Sequence, residues 1–438
     1  MSLQEQFLKN PFEGYAYSYP HKLSYRPFEE PKNLQDLWNK ENKDHLFLYL
    51  HIPFCEMRCG FCNLFTISNP KDQIENLYLE TLQIQAQVMS DVLGNYHFDK
   101  LAVGGGTPTY LELPELEKLF HIIQNTLKVN TQKIPFSFEM SPKTVTQEKL
   151  RYLKKEGVDR ASIGVQSFIE NEQKKLGRPQ KNKEVFEALE LIKLHQFETL
   201  NIDLIYGAYG QTEESWLFSL QNALLFAPEE IFIYPLYTRP LTGIDKRNYY
   251  QEDKRFTLYL LAKDFLISNG YEQISMRMFR LKSASLTKST SYTCQEDGMV
   301  GLGAGARSYT KYTHYSSEYA VGAKNVKAII QNYINREPDS FSKTDYGITL
   351  NEFEIKIRYL IKSLLQSDGL NITQYEDYFK TSLIEDLPKL KELLNEGLCT
   401  INQGKWQLTS KGIDLSDAIG PWLYSNAILT KMQSFDLK

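Results

Sequence analysis

Cysteine is scarce in this chain, with five in 438 residues. Three of them fall within residues 55–62, and Cys294 and Cys399 stand alone. So few, so placed, exclude a disulfide-built scaffold and suit a reducing cytoplasm. Long apolar runs are missing too. None approaches the roughly 20 residues that span a bilayer, and the opening Met-Ser-Leu-Gln-Glu-Gln lacks the basic-then-apolar shape of a secretion signal. No membrane partner is expected. Charge of one sign is not in excess: 50 Lys and Arg face 54 Asp and Glu, net −4. Without a global basic field, nucleic acid is not an expected partner.

What is present is an ordinary globular balance, 42% apolar and 24% charged, in a chain long enough for two or three domains. Aromatics are plentiful, with 28 Tyr and 24 Phe. Most belong in a core, and a cleft for a flat or conjugated substrate is the less ordinary use. Residues 1–44 show no clear period and read as an extended, aromatic-anchored arm. From about 45 to 240, short apolar runs alternate with helix-period segments, the pattern of repeated βα units on a parallel sheet. Strands are expected at 46–52, 101–103, 136–138, 161–163, 200–205 and 231–234. The helix after the first should bury Leu77, Thr81, Ile84 and Val88 and close at Gly94. Residues 241–345 form a linking region without a clear pattern. Residues 346–438 read as mostly helical, with a helix over 383–397 and a hairpin across Asn402-Gln-Gly404, a winged-helix-like outline. Acidic Asp386, Glu392 and Glu396 offset the lysines there, which favours a lid over a DNA-binding use.

Cys55, Cys59 and Cys62 follow the first strand in a C-x3-C-x2-C spacing. Three thiolates on one loop suit an iron–sulfur cluster with one iron left open. A zinc site borrowing His51 is the competing reading. Four further stretches recur at strand ends: Gly104-Gly-Gly-Thr-Pro-Thr109, Glu139-Met-Ser-Pro142, Gly164-Val-Gln-Ser-Phe168 and Asp203-Leu-Ile-Tyr-Gly207. Together with Tyr49-Leu-His-Ile-Pro-Phe-Cys55 they resemble the radical S-adenosylmethionine (SAM) enzymes. The resemblance is to the branch holding oxygen-independent coproporphyrinogen III oxidase, its related haem chaperone and class C methyltransferases.

That resemblance implies an α/β fold: a partial (β/α)6 TIM-type barrel whose chemistry collects at the C-terminal ends of the strands. An N-terminal arm and a C-terminal helical domain would complete it. It implies a [4Fe–4S] cluster on Cys55, Cys59 and Cys62, and SAM as cofactor. Gly105, Gly106 and Thr107 would cradle SAM, glycine giving a close backbone approach, and Glu139 would take its ammonium or ribose. Gln166, Arg178 and Asp203 match positions that hold SAM or a second SAM. Tyr49, Phe61 and Pro235 would line the cofactor. His51 reads as a neighbour of the cluster, and Arg307 as a looser match to a SAM contact. Too few cysteines remain for a second, fully cysteine-ligated cluster.

Departures from the branch bear on the reaction. The chaperone's histidine–tryptophan signature is missing from Ser291–Val300, where Cys294 stands and is a candidate catalytic hydrogen donor or methyl carrier. Asn63 and Leu64 follow Cys62 where the oxidase has a further cysteine. The leading expectation is class C-type methylation or C–C bond formation with a second SAM. The alternatives are an oxidative decarboxylase or dehydrogenase, with Arg239, Arg277 and Arg280 holding substrate carboxylates, and a haem or tetrapyrrole carrier without catalysis. The expected partners are a small-molecule substrate and a low-potential electron donor such as flavodoxin or ferredoxin.

Overall fold

The computed structural model of the chain describes residues 1–70, 73–247, 252–284 and 297–437. It divides into two compact units, Arg26–Arg255 with Ala284–Ile348, and Met1–Tyr25 with Phe256–Ser283 and Thr349–Asp436.

The larger unit is built on a parallel sheet. Its strands are β1 (Leu46–Ile52), β2 (Phe98–Gly105), β3 (Phe136–Met140), β4 (Arg160–Gln166), β5 (Thr199–Tyr206) and β6 (Glu230–Pro235). They pair in chain order, the pattern of a partial (β/α)6 barrel. Between them run α1 (Ile74–Leu93), α2 (Leu113–His121), α3 (Gln147–Lys155), α4 (Glu170–Lys175), α5 (Asn182–Leu194) and α6 (Glu213–Leu224). A seventh parallel strand, β7 (Met299–Leu302), pairs with β1 on its other edge. The sheet continues antiparallel through β8 (Arg307–Tyr309) and β9 (Thr313–Ser316). Beyond these lie the strands Lys343–Thr349 and Arg26–Asn33.

Alternation along β3, β4 and β5 separates two faces. Phe136, Phe138, Ala161, Ile163, Leu200 and Ile202 are buried, and the Phe120 ring of α2 lies 5.7 Å from Phe136. The opposite face carries Ser137, Glu139, Arg160, Ser162, Asn201 and Asp203, aligned by register. This polar face is tied internally. Arg160 Nε donates to Glu230 Oε2 at 2.8 Å and its Nη1 to Ser137 Oγ at 2.9 Å. Asn201 Nδ2 donates to Ser162 Oγ and Asp203 Oδ1, each at 2.8 Å. Buried charge is sustained only when paired in this way.

Helix α1 corrects the expected face. Thr81 is buried as read, but Leu77 and Ile84 are 46% and 39% exposed, while Tyr78, Leu79, Leu82, Ala86, Met89 and Leu93 go inward. The helix carries apolar residues on more than one side, and Tyr78 settles which side turns in. Its hydroxyl donates to the His51 carbonyl at 2.7 Å and its ring meets Phe54 edge-on at 5.3 Å.

In the smaller unit the N-terminal residues are not wholly extended. Ser2 and Glu5 form a capping box that starts the helix Leu3–Lys9. The expected helix over 383–397 is two, Leu383–Asp386 and Leu390–Asn395, interrupted by Pro388, which has no N–H for a helical bond. The hairpin is present as Cys399–Asn402 and Lys405–Leu408, joined by Leu370–Asn371. Cys399 is 3% exposed, a small core residue. Among the described residues no helix is long and apolar enough to cross a membrane.

Candidate active site

The cysteine loop is pinned where β1 ends. Phe54–Cys55 pairs in parallel with Ile67–Ser68, bracketing the loop. In its middle the Gly60 N–H donates to the Leu176 carbonyl at 2.9 Å and the Gly60 carbonyl accepts from Ile244 at 2.8 Å. A Cβ on Gly60 would stand 2.8 Å from the Leu176 oxygen, so the position requires glycine. Each cysteine has its own polar neighbour. Thr107 Oγ1 donates to Cys55 Sγ at 3.6 Å, Arg178 Nη1 to Cys59 Sγ at 3.5 Å, and Thr66 Oγ1 lies 4.0 Å from Cys62 Sγ. Burial pushes the Cys55 and Cys59 thiols upward, while Arg178 opposes this at Cys59.

The donor set fits a cubane better than a single ion. All three thiols are free of disulfides. Among the described residues no three His, Cys, Asp or Glu converge as the ligands of one metal ion, whereas a cubane takes each thiolate on a different iron. His51 is occupied elsewhere. One ring nitrogen faces the Phe65 carbonyl at 2.9 Å and so carries the proton, and the other accepts from Tyr49 Oη at 3.2 Å. Burial, with Arg307 nearby, lowers its pKa to about 4, so the ring is neutral.

The glycine run at the end of β2 faces this loop. Gly106 N–H donates to Ile52 at 2.8 Å, and a Cβ there would meet the Phe54 carbonyl at 2.6 Å and Cys55 Sγ at 2.9 Å. A Cβ on Gly105, whose φ is +117°, would strike the His51 ring. Gly105 N–H donates to Glu139 Oε2 at 2.9 Å. Glu139 is exposed to solvent. The protein around it nevertheless costs its charge more than Gly105 and Arg160 repay, and with Asp203 adding to this its pKa rises to about 7. Burial likewise raises Asp203 to about 6, against the hydrogen bond from Asn201 and the pull of Arg160.

At the end of β4 the backbone departs from the strand. Gln166 has φ +72°, unusual for a residue with a side chain, and it is 9% exposed. Arg178 reaches across it, with Nη2 donating to Ser141 Oγ and to the Gly164 carbonyl, each at 3.0 Å, and Nε to Gln180 at 3.1 Å. Ser141 in turn donates to Glu56 Oε1 at 2.9 Å. Glu56 and Ser141 were not singled out from the sequence, although both lie inside its motifs.

Phe61 packs on a cluster of Leu176, Ile205, Ala208 and Ile244. Pro235 ends β6 opposite Tyr206. Tyr49 joins the apolar group of Phe47, Ala102, Met299 and Tyr309. Arg307 begins β8, with its guanidinium 5.9 Å from the Tyr309 ring. Cys294 lies outside the described residues. Arg277 is taken up within the smaller unit, donating to Asp417 and lying 4.4 Å over the Tyr15 ring. Tyr319 brings another group into view. Its hydroxyl donates to the Asn63 carbonyl at 3.5 Å, and burial pushes its pKa up to about 12 against the charges of Arg239, Arg307 and Arg58. Arg58 belongs to the cysteine loop itself, and Arg239 and Arg307 act with it on the Tyr319 hydroxyl.

Comparison with known proteins follows this geometry. Residues 49–221 match the radical SAM superfamily and residues 358–415 the HemN C-terminal domain. Oxygen-independent coproporphyrinogen III oxidase of Escherichia coli (strain K12) is 28% identical over 426 residues, covering 92% of this chain and 91% of the relative. Heme chaperone HemW of Bacillus subtilis (strain 168) is 28% identical over 374 residues, covering 83% and 95%. The solved structure of coproporphyrinogen III oxidase (HemN) from Escherichia coli superposes with a TM-score of 0.82 at 24% identity, over 96% of this chain and 98% of that one. It establishes the fold. A barrel of this kind with this cysteine loop has the outline of a radical SAM protein. Residues 49–221 carry a radical SAM domain and residues 358–415 a HemN C-terminal domain, and HemN and HemW are homologues of the chain; the radical SAM domain implies a [4Fe–4S] cluster and SAM.

Proposed function

We propose that the chain is a catalytic radical SAM oxidoreductase that abstracts hydrogen from a small molecule bearing carboxylates. The observation that carries this reading is that Arg58, Arg239 and Arg307 all act electrostatically on Tyr319, whose hydroxyl donates to the Asn63 carbonyl next to Cys62. Guanidinium groups suit planar carboxylates. The cluster and SAM, when bound, supply a 5′-deoxyadenosyl radical by reductive cleavage of the sulfonium. The chain's own residues bind and orient. Gly105, Gly106 and Thr107 offer a backbone edge, and Glu139 and Asp203 give two carboxyl groups for an ammonium or ribose hydroxyls. Tyr49, Phe61 and Pro235 line the approach. Hydrogen abstraction of the oxidase type is also supported by relatives that match nearly the whole chain.

A second reading, class C-type methylation with a second SAM, would have Gly105 and Glu139 serve one SAM, and Gln166 at the end of β4 with Asp203 inside β5 serve the other. Anaerobic turnover with SAM and a strong reductant separates the readings, with coproporphyrinogen III as the first substrate tried and cell extract as the second. Deoxyadenosine alone supports the oxidoreductase, with Arg239→Ala expected to raise KM several-fold. Deoxyadenosine rising with S-adenosylhomocysteine supports methylation. Neither product from cluster-loaded protein, together with a spectral shift on adding haem, supports a carrier.

A further inference from the structure

Arg178 has less freedom to clamp a ligand than its place in the barrel suggests. A guanidinium has five N–H donors, and four bonds are already made: Nε to Gln180, Nη2 to Ser141 and to Gly164, and Nη1 to Cys59 Sγ. Five less four leaves one. The planar fork is thereby fixed, and one of its arms ends on a cluster-loop sulfur. Behind it stands a carboxylate from the same loop. Glu56 Oε1 accepts from the Ser141 hydroxyl, which itself accepts from Arg178, while Glu56 Oε2 is buried with no hydrogen-bond partner. The sequence Glu56–Ser141–Arg178–Cys59 leaves the cysteine loop and returns to it three residues on.

We propose that Arg178 is a positioning residue for electron transfer that raises the reduction potential of the cluster through Cys59. Glu56, acting through Ser141, holds the fork and sets an opposing negative charge beside the same loop. The inference rests on the cluster assigned above. Reduction adds negative charge to the ligand sulfurs, so a donor to Cys59 Sγ favours the reduced state more than the oxidised one. A buried carboxylate nearby does the reverse, and exclusion of water strengthens both effects. Lysine at position 178 keeps the charge but cannot hold Ser141, Gly164 and Cys59 with one planar group.

The test is a redox titration of the reconstituted protein without SAM, followed by electron paramagnetic resonance. Arg178→Gln should lower the reduced-to-oxidised ratio at a fixed potential about tenfold, equivalent to about 59 mV for one electron. Glu56→Gln should move the potential upward, and Ser141→Ala should move it down by less than Arg178→Gln. A residue that only braces the end of β4 would lower the melting temperature of Arg178→Gln and leave the potential unmoved. A SAM-carboxylate clamp would weaken SAM binding and likewise leave the SAM-free potential alone. Unchanged potentials in cluster-loaded Arg178→Gln and Glu56→Gln, or shifts of the same sign, overturn the proposal. Should Arg178→Gln not take up iron, Glu56→Gln decides alone, an upward shift supporting the proposal and no shift overturning it. Failure of the wild-type protein to assemble any cluster is a different result, and sinks the cofactor assignment beneath it.

Discussion

In the SAM-binding role proposed above, Glu139 would set fold stability against binding. The protein packed around it raises its carboxyl to about 7 from an ordinary value of 4.5, although the side chain still meets solvent, so folding favours the protonated form. Its contribution to stability is therefore fully present below about pH 4.5 and is lost as pH rises through about 7. An ammonium ligand prefers the opposite, charged form. SAM affinity should accordingly fall by at most about tenfold per pH unit on going below 7, the limit for one linked proton. Glu139→Gln should abolish that slope, weaken SAM binding above pH 7, and raise the melting temperature of the ligand-free protein there. Calorimetric SAM titrations at pH 6, 7 and 8, with parallel melts, read all three. A wild-type affinity flat across that range would remove Glu139 from the binding site.

At the scale of elements, strands were read more securely than helix faces. A strand shows its two faces by simple alternation, and Phe136-Ser-Phe-Glu139 announces an apolar side and a polar one. The motifs then fall at or near strand ends, so the sequence pattern already places Gly105, Glu139, Gln166 and Asp203 on successive strands of one sheet. Helix α1 was not legible in this way, because apolar residues fall on more than one of its sides, and the Tyr78 contacts with His51 and Phe54 help to fix the buried one. Strand β7 was missed for another reason. Its four residues, Met-Val-Gly-Leu, carry too short a pattern, and their partner β1 lies some 250 positions earlier. The link from Glu56 through Ser141 to Arg178 was equally invisible, since no periodicity joins residues on three separate loops. The face of α1 is open to a direct check. Leu82→Ala, at a fully buried site, should cost about 2–5 kcal/mol. Ile84→Ala, on the exposed side, should stay within about 0.5 kcal/mol. Urea unfolding of the two variants measures this, and the reverse order would restore the face expected from the sequence.

For the molecule as a whole, the smaller unit is assembled from three stretches far apart in the chain. Its N-terminal stretch is a structural member of it. Phe7, Phe12, Ala16 and Tyr19 are buried, and Phe7 meets Trp422 edge-on at 5.9 Å. Tyr19 donates to Glu354 and its carbonyl accepts from Arg358, a side chain only 1% exposed. Residues 263 and 277, from the middle stretch, are tied to the C-terminal stretch by charge, Lys263 to Asp414 at 2.6 Å and Arg277 to Asp417. Breaking such a buried pair from one side costs about 3–5 kcal/mol, because the remaining charge loses its partner. Deletion of residues 2–20 should do comparable harm by another route, exposing the apolar surface that Phe7, Phe12 and Tyr19 cover and leaving Arg358 without its carbonyl. The expected result is rapid proteolysis within residues 349–436, while cleavage within residues 26–255 stays slow. Asp417→Ala should reproduce that pattern in the full-length chain. Equal protection of the C-terminal stretch with and without residues 2–20 would mean that the N-terminal arm only rests on a unit that folds without it.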